Sequence, residues 1–224
     1  MTGKRPEPDA GQTYRRPSPT EFTRNERSAI QKHRTPLQVQ KYLRSLPYNW
    51  EPHTLRTFRE VVRSGSANCI EAALSAATIM EQHGHPPLLL DLESADYLDH
   101  VLFLFSIRGM WGTIAKSRDV GLHGRKPVFR TIRQLALSYV DPYVDGSGRI
   151  IAYGVADLRD FSRSNWRLSK RNVWAVERLL IDMPHAALKT SARRHQQMLK
   201  KFLEFKKDHP NRPFHAYKDR DKWM

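Results

Sequence analysis

The sequence predicts an α+β fold in which one alanine-rich helix packs on an antiparallel sheet. Apolar residues recur at helical spacing from 70 to 80, and Gly84 followed by Pro86 and Pro87 predicts the end of that helix. Two short apolar runs, 88–90 and 101–105, are rich in strand-forming residues. Because helix and strand patterns follow one another along the same stretch, they indicate one core built from both.

The segments before this core predict an arm and a short helix. Residues 1–35 carry four prolines among scattered arginines and serines, with too little apolar surface to order themselves, which predicts a disordered basic arm. Residues 37–46 predict a short amphipathic helix, followed by an aromatic cluster that ends at Trp50. A tryptophan at this place walls a cleft or, more commonly, belongs to the core.

The only cysteine, Cys69, lies at the start of the alanine-rich helix. The turn-forming and capping residues at 64–68 predict that it falls in the first helical turn. Unsatisfied N–H groups and the positive end of the helix dipole lower the pKa of a thiol there, which favours a nucleophile. The alternative is a buried cysteine that acts as a small hydrophobic residue.

A histidine, His100, opens the second apolar run. That run ends at 108–109, a predicted hairpin turn into a return strand at 111–114. Counting from the turn places His100 opposite residues 115–117. The polar candidates to orient its ring are therefore Ser117 and Asp119, with Asp141 as a more distant choice. The alternative is a hydrogen-bonded strand histidine without a chemical role.

Four stretches of sequence, taken in order, resemble the core of a transglutaminase-like domain. They are NCIEAA at 68–73, HGHPPLLLDL at 83–92, DHV at 99–101 and GMWGTI at 109–114. The resemblance covers about residues 46–160 and is nearest to a bacterial group within that superfamily. It implies a papain-like arrangement in which the cysteine opens a helix packed on the sheet and the histidine starts one strand of a hairpin.

In that superfamily the third catalytic residue, usually an aspartate, follows a tryptophan on the return strand. Here the tryptophan is Trp111, and Ala115 occupies the expected position. We therefore expect the catalytic residues to be Cys69, His100 and Asp119, acting on a protein or peptide amide by hydrolysis or acyl transfer. The alternative is a catalytically degenerate binding module of the same fold.

Pairing of Cys69 with His100 predicts a thiolate and an imidazolium. The thiol pKa would then lie well below the roughly 8.5 of a free cysteine. His83 and His85 flank a glycine, but a zinc site needs three or four ligands, so no metal and no cofactor is expected.

Charge concentrates at the two ends of the chain. The total of +15 divides into +4 for residues 1–35, +4 for a domain at 36–184 and +7 for residues 185–224. Residues 186–208 predict a basic amphipathic helix, and the tail beyond it is expected to dock only through Phe214, Tyr217 or Trp223. These ends offer a surface for nonspecific nucleic acid, or else they only keep the helix soluble.

The longest apolar run, 101–105, is far shorter than the ~20 residues that cross a bilayer. No apolar signal segment follows the N-terminus, and one cysteine excludes an internal disulfide. Both features predict a cytoplasmic protein with no membrane partner. The oligomeric state is left open.

Overall fold

The computed structural model describes residues 14–144, 146, 148–161, 164–214, 217 and 219–224. These residues form a mixed α+β fold, as the sequence predicts. Its helices are α1 (Arg24–Lys32), α2 (Pro36–Ser45), α3 (Phe58–Ser64), α4 (Cys69–Gln82), α5 (Ile132–Leu137), α6 (Trp174–Asp182) and α7 (Ala192–Asp208). Its strands are β1 (Leu88–Ser94), β2 (His100–Ile107), β3 (Met110–Ile114), β4 (Arg125–Phe129), β5 (Ile150–Asp157) and β6 (Ala186–Ala187).

The six strands form one sheet in the order β4-β3-β2-β1-β5-β6, and every neighbouring pair is antiparallel. The predicted hairpin is confirmed: β2 and β3 pair from Ile107 and Met110 outwards. Its two-residue turn, Arg108 and Gly109, has φ values of 51° and 74°. Tight hairpins need such positive φ values, which is why a glycine stands at the turn.

The two faces of the sheet carry two separate cores. Alternate residues of β2, including Val101 and Phe103, point to the face that α4 covers, whereas Leu102 and Leu104 point to the face covered by α5. The alternation follows from the two-residue period of a strand. Because both faces are covered, β2 is apolar throughout.

The N-terminal segment differs from the predicted disordered arm. Residues 1–13 lie outside the described residues, but α1 is a helix, and Phe22 and Ile30 are buried in the α4-side core. The carboxylate of Glu26, 1% exposed, pairs with Arg59 at 2.7 Å. The prediction weighed composition alone, and these few apolar side chains are ordered because α3 and α4 offer a surface to receive them.

The C-terminal segment is tied to the domain more closely than a boundary at 184 allows. A basic helix is confirmed at α7, but β6 extends the sheet and Leu188 is buried in the α5-side core. Phe214 and Tyr217 are also buried, as the expected docking requires. The segment is therefore partly an element of the domain.

The end of the chain covers a buried cation. Arg125 is 0% exposed, and its guanidinium lies 4.0 Å from the ring centre of Tyr139 and 4.8 Å from that of Trp223. Carbonyl oxygens of Gly121, His123 and Ser138 accept its hydrogen bonds. Cation–π contacts and charge-assisted hydrogen bonds replace a counter-ion here. Among the described helices, none is long and apolar enough to cross a membrane.

Candidate functional site

Cys69 is the first residue of α4, as the capping pattern predicts. The Asn68 side chain accepts from the Glu71 backbone N–H at 3.1 Å, and Glu71 in return accepts from the Asn68 N–H at 3.0 Å. This reciprocal cap fixes the direction in which α4 begins. Glu71 is 0% exposed and also accepts from Asn49 and from the backbone of Arg56. The first turn, and with it Cys69, is therefore held from three segments.

Cys69 is a partly exposed residue, and its thiol faces the backbone N–H groups of Ile70 and Val101. These donors favour the thiolate, but burial works against the charged form and, with the Asp91 carboxylate, raises the thiol pKa above its ordinary value. At neutral pH the resting side chain is thus a neutral thiol. The sequence predicts a shift in the opposite direction, because it reveals the helix terminus but not the burial of the thiol.

His100 begins β2, and its Nε2 donates a hydrogen bond to the Leu122 carbonyl at 2.9 Å. The ring packs edge-on against Tyr139, with 6.1 Å between ring centres. Burial lowers its pKa to about 4, so the imidazole is neutral at physiological pH. Since a carbonyl only accepts, the ring proton sits on Nε2 and Nδ1 is left as a proton acceptor.

Cys69 and His100 open on the same cavity, which has a volume of about 850 Å³. They reach it from different sides of the sheet, because His100 shares its face with Leu102 whereas Val101 points towards α4 and the thiol. No hydrogen bond joins the sulfur to the ring within the described parts of the chain. Catalytic contacts in unliganded proteins are often long and tighten only with substrate bound.

The residues predicted to orient His100 form hydrogen bonds elsewhere. Asp119 lines the cavity, but its carboxylate accepts from the Gly121 N–H at 2.6 Å. It thereby shapes the turn that carries the Leu122 carbonyl, and this carbonyl is the direct partner of the His100 ring. Ser117 lines the cavity and accepts from the Asp119 N–H, at 3.3 Å.

Two further positions also lack a direct role at the ring. Asp141 forms a bidentate pair with Arg194 on α7, with N–O distances of 2.7 and 2.6 Å. Ala115 is fully buried, and its backbone N–H and carbonyl both bond to the side chain of Gln40. The Ala115 side chain belongs to the apolar core on the α5 side, so a carboxylate at this position would be buried among apolar side chains.

Sequence reasoning missed two residues beside the thiol, Asp91 and His185. Asp91 pairs with Val101 across β1 and β2 and points to the α4 face, where its charge acts on Cys69. Its Oδ2 lies 3.0 Å from His185 Nε2. The signal was available, since an aspartate inside the apolar run 88–92 is costly to bury without a partner. The partner lies 94 residues later and could not be inferred.

The Asp91–His185 pair holds a proton. His185 Nδ1 lies 3.0 Å from the Met183 carbonyl, so Nδ1 donates and Nε2 carries no proton in the neutral ring. A bond between Nε2 and the carboxylate then needs one more proton, on either partner. Burial and the neighbouring Asp99 raise the pKa of Asp91 to about 7, which agrees with a shared proton.

A scan against protein-family models finds no match, and a search of curated proteins finds no relative. The transglutaminase-like resemblance therefore stays a prediction made from the residues. What the site offers by itself is a thiol on a helix terminus, a neutral imidazole with one free acceptor, and a cavity that both share.

Proposed function

We propose that the protein catalyses cysteine-dependent acyl chemistry, amide hydrolysis or acyl transfer, with Cys69 as nucleophile and His100 as base. The observation that carries the proposal is that a helix-terminal thiol and a neutral histidine open on one cavity. The cysteine opens a helix on the sheet and the histidine opens a hairpin strand, and the transglutaminase-like resemblance implies the same two positions. A lone thiol also suits the reducing cytoplasm.

The reaction follows from these groups. The Cys69 sulfur attacks an amide carbonyl carbon while its proton moves to Nδ1 of His100, and the Cys69 backbone N–H stabilises the oxyanion. The C–N bond breaks as His100 returns the proton to the departing amine. Water or a second amine then attacks the thioester, giving its proton to His100, which passes it back to the sulfur. Leu122 holds the ring through Nε2 throughout.

The hydrogen bonds favour His100 over His185 as the proposed base. Both nitrogens of His185 are engaged, by Met183 and by Asp91, and its pair with Asp91 already holds a proton. The Nδ1 of His100 is available once Nε2 has donated to Leu122. A neutral ring accepts a proton without first losing one, which suits attack by a neutral thiol.

A peptidyl acyloxymethyl ketone tests the proposal, because it alkylates a thiol that is aligned for attack beside a carbonyl. Cys69 is the only cysteine, so labelling reports this residue alone. We expect the folded protein to be labelled about tenfold faster than the urea-unfolded chain at the same pH, because the folded site aligns thiol and carbonyl. Cys69→Ala should show no label by mass spectrometry. Faster labelling of the unfolded chain would instead identify a catalytically degenerate binding module.

We further propose that α7 contacts nucleic acid without sequence preference. None of its residues is buried, and it contains six lysine or arginine residues but only two acidic residues. Each phosphate contact should contribute about −0.9 to the slope of log affinity against log salt.

Exchanging Lys200, Lys201 and Lys207 together for glutamine should therefore make that slope shallower by about 3 units. A matched variant removes three exposed cations elsewhere, Arg24, Lys41 and Lys170, also as glutamines. Equal slopes for the two variants, measured by fluorescence anisotropy on a DNA duplex, would show that α7 is only a solubilising helix.

A further inference from the structure

One wall of the cavity is acidic although the protein is strongly basic. Three carboxylates, Asp91, Glu93 and Asp99, line the cavity together, and we call them the acidic wall. Asp91 and Glu93 are two residues apart on β1 and therefore share the α4 face. Asp99 immediately precedes β2, and its charge acts on Asp91. Placing like charges together without compensation is unfavourable.

The cations of the chain compensate this wall only in part, at Asp91, which shares a proton with His185. Within the described part of the chain, neither Glu93 nor Asp99 forms an ion pair, and Asp91 pairs only with His185. The two cationic side chains that line the cavity are directed elsewhere. Arg118 lies over the Trp50 ring, and the Lys206 ammonium donates to two backbone carbonyls, those of residues 210 and 212.

A second observation points to a missing donor. Oδ1 of Asp91 is buried and makes no hydrogen bond with any described residue, and the side chain is only 2% exposed. Buried acceptors in native proteins nearly always have a partner. A charged ligand that donates N–H groups would satisfy this wall, because hydrogen bonds between ions are the strong ones.

The mouth of the cavity is apolar. Tyr97, Leu98 and Ile181 line it and are 88%, 56% and 67% exposed. Exposed apolar side chains grouped around a cavity are typical of a binding surface. An acidic wall behind an apolar mouth fits a polypeptide that carries a basic side chain.

We propose that the substrate is a peptide segment whose arginine or lysine side chain binds the acidic wall, next to the carbonyl attacked by Cys69. This substrate class rests on the proposed function. Asp91 is placed for it, because it faces α4 beside Val101, whose backbone N–H faces the Cys69 sulfur. The basic side chain and the reacting carbonyl then lie within one residue of each other in the substrate.

The test uses peptidyl acyloxymethyl ketones that differ only in the residue next to the ketone: arginine, lysine, norleucine or glutamate. The overall charge of +15 favours the glutamate compound, whereas the acidic wall favours arginine and lysine. Whether the glutamate compound or the basic compounds label faster therefore shows which of the two, the overall charge or the acidic wall, determines the preference. At 0.15 M salt the screening length is about 8 Å, so nearby carboxylates dominate. We expect arginine and lysine to label about tenfold faster than glutamate, as one ion pair provides.

Glu93→Gln removes one charge of the acidic wall at a half-exposed position. We expect it to lower the preference for the arginine and lysine compounds over the glutamate compound severalfold. Glu93→Lys should reverse the preference. Glu204→Gln on α7 makes the same chemical change outside the cavity and should leave it unaltered. Equal rates for all four compounds, or equal effects of the 93 and 204 variants, would overturn the inference.

Binding to the Cys69→Ala protein separates this inference from the proposed reaction. Fluorescent peptides with a central arginine or a central glutamate should differ in affinity even though no chemistry is available, and the arginine peptide should bind more tightly. If the arginine peptide binds but no ketone labels Cys69, the reaction fails and the acidic site stands. If labelling is fast but shows no preference, the reaction stands and the acidic site fails.

Discussion

Replacing His100 by alanine is expected to slow acylation of Cys69 by a peptide p-nitroanilide by about 10²–10⁴-fold, the usual contribution of a positioned base. The thiol pKa is raised and the His100 pKa is lowered to about 4, so both groups are neutral at pH 7. The His100 ring is needed because the neutral thiol must transfer its proton to a base as it attacks. Release of nitroaniline in the first turnover measures the effect.

The same variant should leave simple alkylation by iodoacetamide almost unchanged. Between pH 5 and 8 the His100 ring carries no charge that could stabilise a thiolate, because this range lies above its pKa of about 4. Alkylation should therefore rise with pH and reach half its maximum above the ~8.5 of a free thiol. Fast alkylation at pH 5–6 that is lost in His100→Ala would instead show a thiolate–imidazolium pair.

His85→Ala is the matched control for this experiment. The His85 ring is also partly buried, and burial lowers its pKa, but it lies against Phe105 outside the cavity. It should leave acylation unchanged. A similar loss in His100→Ala and His85→Ala would mean that removing a buried histidine disturbs the fold, and it would argue against His100 as the base.

Glu81→Ala is expected to destabilise the protein by about 3–5 kcal/mol, because it leaves a buried guanidinium without its partner. Glu81 and Arg167 form a bidentate pair at 2.7 and 2.6 Å, with side chains only 2% and 9% exposed. The guanidinium also lies 3.8 Å from the ring centre of Trp166. Urea unfolding followed by fluorescence and circular dichroism measures the loss.

An ion pair with one exposed partner provides the control. Glu60→Ala breaks the bond to Arg63, whose side chain is 72% exposed, and should cost about 0–1 kcal/mol. The double variant Glu81→Leu with Arg167→Met removes both buried charges and should recover most of the stability lost in Glu81→Ala. Equal losses for Glu81→Ala and Glu60→Ala would show that water reaches the inner pair.

Local chemistry explains what the sequence could predict. The turn at Arg108 and Gly109, the capped first turn at Cys69 and the basic helix near the C-terminus each depend on residues close together in the chain. The spacing of apolar residues and the capping and turn residues determine such features before any tertiary contact forms. Both Cys69 and His100 could therefore be placed on their elements by inspection.

The contacts and burial of those two side chains could not be predicted from the sequence. Whether the thiol is a thiolate depends on burial and on Asp91, and the partner of His100 is a backbone carbonyl at Leu122 that no residue pattern reveals. The sequence prediction searched for a carboxylate at Asp119, because only side chains are visible in a sequence. Backbone groups and desolvation are contributed by the tertiary structure.

Residues close together in the sequence specify the secondary structure around the site and the solitary thiol at a helix terminus, and composition specifies the strongly basic character of the chain. Three features depend on contacts between distant segments: residues 14–35 are ordered, His185 pairs with Asp91 across 94 positions, and an acidic wall lies inside a basic protein. The two groups of features differ in the distance along the chain over which the interactions act. Propensity and capping act over a few residues, whereas burial and charge pairing depend on which distant segments the fold brings together.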